Sequence, residues 1–216
     1  MICTRVFLKR RVSTLEKNVR IPSQKRSIEK KEKIIETGFQ IFLERGYFDV
    51  TTADIAKEAN LATGTVYSYF KDKKDILLEC LDKFGNELML QLLKNIEGIS
   101  ASNDSLDIAK KVLQAFIKFH TGQRVYHYDV MSLQYTDEDV RNFFKQVERT
   151  MMSAIVEQLG KAGFVFRNER EQTFLIFSMI RSLEEQLVFQ SDDKINTEVL
   201  TDECARIIAS MVTKNE

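Results

Sequence analysis

TTADIAKEANLATGTVYSYFKDKKD, residues 51–75, decides how this chain folds. Thr51 stands three residues before Asp54, a capping-box spacing in which an acid replaces the usual Glu or Gln. That predicts a short helix ending near Asn60, with Ile55, Ala56 and Ala59 on its buried face. After Leu61 and Ala62, Thr63 is placed to cap a second short helix over 64–70, where Val66 and Phe70 lie four apart and point inward. Thr65, Tyr67, Ser68 and Tyr69 are then left on or near the outer side. Gly64 lets that helix start come close to another molecule. A tyrosine offers a ring and a hydroxyl suited to a thymine methyl, a sugar or a phosphate oxygen. Asp72 can cap a further, long helix, and Lys73 at its start is placed to reach a phosphate.

Working outward, a helix is predicted from Ser27 to Arg45, because Ile34, Gly38 and Phe42 share one stripe with Ile35 and Phe39 beside it. Gly46 stops it as a C-terminal cap. Two short helices joined by a few residues and packed on a longer one make a helix-turn-helix within a three-helix unit. Residues 1–24 carry many basic side chains and the single proline, Pro22, and read as a poorly ordered basic arm with a short helical piece around 13–19. Downstream, helices are predicted over about 104–121, 124–134, 137–161, 169–190 and 197–213. TFLIFSMI, in the fourth of these, is apolar nearly all round, which implies burial on more than one side.

Composition agrees with an all-α fold: 44% hydrophobic and 30% charged residues, one proline and eight glycines leave too few turn residues for a sheet protein. Formal charge sums to zero but is unevenly placed. Met1–Asp75 holds 16 Lys and Arg against 10 Asp and Glu, and the remainder 16 against 22. The N-terminal third is therefore the part suited to a polyanion. Cys3, Cys80 and Cys204 lack any CxxC spacing and read as reduced thiols of a cytoplasmic protein. The sequence has no apolar run of membrane-spanning length and no signal-peptide pattern. It also has no phosphate loop, nucleophile elbow or HExxH, so neither an enzyme nor a cofactor is expected.

The run IIETGFQIFLERGYFDVTTADIAKEANLATGTVYSYFKDKKDIL, about a fifth of the chain, resembles the N-terminal DNA-binding domain of the TetR family of bacterial transcriptional regulators. Phe42, Gly46, Thr51, Ile55, Ala56, Gly64, Tyr67, Phe70 and Lys73 carry the resemblance. Gly38, where the family usually has alanine, and Lys74, where it often has an acid, depart from it. The resemblance implies a homodimer whose recognition helices enter successive major grooves of a palindromic double-stranded operator. It puts Thr63, Gly64, Thr65, Tyr67, Ser68 and Tyr69 at the DNA, with Thr51 or Thr52 and Lys73 on phosphates. It also implies that residues 25–71 read DNA, while 72–216 bind a small-molecule effector and dimerise through the last two helices. Such a protein acts as a ligand-released repressor.

For the effector, the aromatic-rich middle supplies Phe116, Phe119, His120, Tyr126, Tyr128, Met131, Phe144, Met151, Phe174 and Phe177, although each also fits an ordinary core position. Few acids or bases stand among them, which points to an apolar or aromatic ligand. His120 and His127 are seven apart with Gly122 between, and no metal site is expected from them. A helical interaction module or small-molecule-binding protein without any DNA role is the alternative.

Overall fold

The computed structural model describes residues 25–95, 103–120, 124–189 and 194–214. The basic arm and its expected helical piece lie outside them. Packing divides the chain into two compact units. One holds the described residues up to Asn86 together with Val125–Phe143; the other holds Glu87–Arg124 and the described residues from Phe144 onward. This grouping follows a different line from a cut after Lys71, because the start of the long helix and a later helix pack with the N-terminal residues.

The first unit contains α1 (Lys25–Arg45), α2 (Thr52–Glu58), α3 (Thr63–Tyr67), the first half of α4 (Lys73–Asn95), most of α6 (Arg124–Thr136) and the start of α7 (Glu138–Lys161). Its core is formed by Ile34, Phe42, Ile55, Val66, Ile76 and Leu77, all fully enclosed. Each such side chain contributes roughly 1.5–3 kcal/mol relative to an exposed position. Gly46 ends α1 with φ 81°, its amide donating to the Phe42 carbonyl at 2.9 Å. Asn60 (φ 54°) makes the left-handed step after α2. The departure at Gly38 has a packing reason: a Cβ there would stand 2.8 Å from Ile76 Cγ2 of α4. Farther along the same pair of helices, Phe39 and Phe84 stack with centroids 3.6 Å apart, flanked by the ion pairs Lys31–Glu79 and Lys83–Glu36.

In the second unit α5 (Ser105–His120) packs on α9 (Thr197–Ser210), whose Cys204, Ala205 and Ile208 are buried, and Lys110 pairs with Asp202 at 2.9 Å. Asn196 caps α9 by accepting from the amides of Glu198 and Val199. α8 (Glu169–Phe189) turns Ile176, Ile180 and Leu183 inward but leaves Phe174 and Leu175 exposed, so its all-round apolar run is only partly enclosed. Gly163 (φ 84°) redirects the chain after α7 into β1 (Phe164–Phe166), which pairs antiparallel with β2 (Val212–Lys214). No strand was expected, and α9 stops at Ser210 rather than 213. Three-residue strands fall below the length at which alternation can be read, and here the pairing joins segments far apart in sequence. The architecture is otherwise all-α, a helix-turn-helix domain followed by a larger helical domain.

Candidate nucleic-acid interface

α2 begins as its spacing dictates. Thr51 Oγ1 accepts from the Asp54 amide at 3.1 Å, and the Asp54 carboxylate accepts from the Thr51 amide at 2.9 Å. Bonds from the Thr51 hydroxyl and amide hold the Asp54 carboxyl below its ordinary range. Thr51 is therefore exposed but engaged in the cap, and Thr52 is buried.

α3 differs from expectation at both ends. Ala62, with extended backbone, occupies the cap position and makes no side-chain cap, so Thr63 is the first helical residue. The helix ends at Tyr67, and the Ser68, Tyr69 and Phe70 amides close the final turn onto carbonyls from Gly64 to Val66. This turn carries Tyr69 inward. It is 6% exposed, and its hydroxyl lies 2.9 Å from that of buried Ser27 at the start of α1. Tyr69 thus ties the end of α3 to α1 instead of facing outward. Thr63, Gly64, Tyr67 (52% exposed) and Ser68 do face outward, with Thr65 half-buried and the Ser68 hydroxyl donating to the Thr65 carbonyl. A Cβ on Gly64 would meet nothing within 4 Å, so packing among the described residues does not require glycine there.

Asp72 caps α4 by accepting from the Asp75 amide at 2.9 Å. Lys73 is half-buried and turned toward the protein: its Nζ donates to the Tyr47 carbonyl at 2.6 Å and the Phe48 carbonyl at 3.5 Å, and sits 4.2 Å from the Tyr47 ring centroid. Burial lowers its pKa, and Asp129 and Asp49 push it back up. The same turn is held from its other side, where Asp129 of α6 accepts from the amides of Tyr47 (2.6 Å) and Phe48 (3.3 Å). Lys74 bonds Asp139 and Asp137 at 2.6 and 3.0 Å, and these carboxylates, Asp139 first, raise it above the ordinary lysine range. Asp129 carried no sequence signal for this role, since its partners stand 82 and 81 residues away.

The effector candidates whose side chains are described do not gather in one place. Phe116 and Met151 are buried, Met131, Phe144 and Phe177 half-buried, and Tyr128 and Phe174 exposed. The side chains of Phe119, His120 and Tyr126 lie outside the described residues. Tyr128 and Met131 pack in the first unit. The second unit holds an apolar cavity of about 50 Å³, lined by Ile108, Phe116, Ile155, Phe164, Ile180 and Ile208 among others, with Ser105 the one polar residue among its described lining. Of the seven candidates whose side chains are described, Phe116 alone lines it. No helix among the described residues is long and apolar enough to cross a membrane.

The family profile described as "Bacterial regulatory proteins, tetR family" matches residues 34–80. The HTH-type transcriptional regulator HbdR of Aromatoleum sp. (strain CIB) is 36% identical over 72 residues, 33% of this chain and 31% of that protein. The negative transcriptional regulator IcaR of the icaADBC biofilm operon of Staphylococcus aureus (strain Newman) is 30% identical over 122 residues, 55% of this chain and 61% of the relative. The chain thus spans between about a third and three fifths of the length of these curated relatives. The solved fatty acid degradation regulator FadR of Bacillus halodurans matches 83% of this chain and 94% of its own, with a TM-score of 0.62 at 20% identity, a likeness of fold. With the capped pair α2–α3 on α1 and the profile running from Ile34 to Cys80, it is this N-terminal segment of the chain that belongs to the TetR family of bacterial regulatory proteins.

Proposed function

We propose that the chain is a ligand-responsive transcriptional repressor, a cytoplasmic non-enzyme that binds a palindromic operator as a homodimer and leaves it when a small effector binds. The observation that carries the reading is the outer strip of α3. A glycine in a helix costs about 1 kcal/mol against alanine, and no neighbour among the described residues uses the space at Gly64. Gly85 and Gly160 are equally open, but only Gly64 stands beside Thr63 and Tyr67 on the outer strip of α3, which supports an approach from outside there. A base edge or sugar-phosphate backbone fits that strip.

Residues from Glu87 onward, except those of α6 and early α7, are assigned to effector binding and dimerisation. The apolar lining of the cavity supports an apolar effector, and its volume of about 50 Å³, far below the roughly 300 Å³ of a ligand pocket, means that the helices around it would have to part to hold one. Exposed Phe174 and Leu175 on α8, with Val199 and Ile207 on α9, support a second copy as the partner of the last two helices.

The test is binding to the DNA upstream of the chain's own coding sequence. Nanomolar affinity that falls steeply with salt is expected, and Tyr67→Ala should weaken it by about 1–3 kcal/mol. Affinity equal to that for unrelated DNA would favour the interaction module without a DNA role.

A further inference from the structure

The turn Gly46–Val50 joins α1 to α2 and so fixes the angle at which the α2–α3 pair leaves its support. Both backbone polarities of this turn are taken up by side chains from outside the helix-turn-helix. The amides of Tyr47 and Phe48 go to the Asp129 carboxylate of α6, and their carbonyls to the Lys73 ammonium of α4. Asp129 is only 9% exposed and Tyr47 8%, so water cannot readily replace these bonds. The Lys74 bonds to Asp137 and Asp139 fasten the start of α4 to the α6–α7 junction alongside.

We infer that Asp129 and Lys73 form a two-sided clamp on the Tyr47–Phe48 turn and are positioning residues for DNA recognition without touching DNA. The inference rests on the reading of α3 as the DNA-contacting element. It assigns Lys73 a different task from a phosphate contact, and the two tasks are separable. A residue that neutralises a phosphate contributes about 0.9 to the slope of log affinity against log salt, whereas one that only orients the reader contributes almost nothing to it.

The experiment measures anisotropy of a labelled fragment of the upstream DNA across a salt series, using the full chain, Asp129→Asn, Lys73→Met and the double variant. Exchange rates of the Tyr47 and Phe48 amides are followed alongside. The clamp predicts that each single variant binds about tenfold more weakly at fixed salt, with the salt slope unchanged. The double variant should lose little more than either single one, because the two residues hold one turn. Amide exchange at Tyr47 and Phe48 should quicken in Asp129→Asn, while the α1 amides stay protected. Wild-type affinity in Asp129→Asn, or a slope flattened by about 0.9 in Lys73→Met, would overturn the clamp. Should Asp129→Asn fail to fold, Lys73→Met carries the test by its slope. If the wild-type chain itself ignores the DNA, the DNA reading falls, and the amide exchange still distinguishes that from an absent clamp.

Discussion

The two packing units solve different problems with the same element type. In the first, short helices are held in place by many specific polar contacts: a complete capping box at Thr51, the buried Ser27–Tyr69 hydroxyl pair, and the Asp129 and Lys73 bonds to one turn. Helices of seven and five residues cannot stand alone, so their orientation has to be imposed by such contacts. In the second unit α5, α8 and α9 are all longer than α2 and α3, and a cavity lies among Ile, Phe and Ala side chains. The first unit is thus specified by directional contacts, whereas the second leaves space within its apolar packing.

The sharpest way to break this contrast is to add volume in the first unit. Gly38→Ala gains up to about 1 kcal/mol of helix propensity but drives a methyl into Ile76 Cγ2, a β-branched position that cannot swing aside. Overpacking of this kind costs about 1–3 kcal/mol, so urea denaturation should show a net loss of stability. Adding Ile76→Leu, which removes the β-methyl while keeping the volume, should recover most of it.

A smaller and opposite effect is expected in the second unit. Ala109→Val places two carbons against the cavity it lines and should stabilise by about 0.5–1 kcal/mol. The same change at Ala56, buried 1% exposed in α2, should destabilise by about 1–3 kcal/mol. Equal thermal shifts for the two variants would show that the units do not differ in packing tolerance.

The smallest effect is a titration. The folded Asp54 carboxyl is held below its ordinary value, so its share of the cap is complete above the unfolded carboxyl range near about 4 and is lost as pH falls through the lower folded value. An NMR titration should find that Thr51→Val returns Asp54 toward the ordinary range. An unaltered titration would mean that the cap does not set its charge.

Much of the first unit was legible because its signals are local. The Thr51 and Asp54 spacing, the Gly46 stop and the Val66–Phe70 pair each involve residues within four positions, where backbone geometry fixes who meets whom. Tyr69 was misread for the same reason. Helical periodicity continued through it, but α3 had already ended at Tyr67, and a buried partner 42 residues earlier drew the ring inward. In the second unit, apolar periodicity predicted helices well but could not distinguish core from cavity wall, since both want the same side chains.

By itself, then, the sequence determined the helices, the cap of α2 and the family pattern, since capping and periodicity are short-range and each residue's neighbours are known in advance. Only the tertiary structure decided that Lys73 grips a turn, that Asp129 completes that grip, and that Gly38 makes room for Ile76. Those contacts depend on which distant surfaces meet, and no spacing within one helix encodes that.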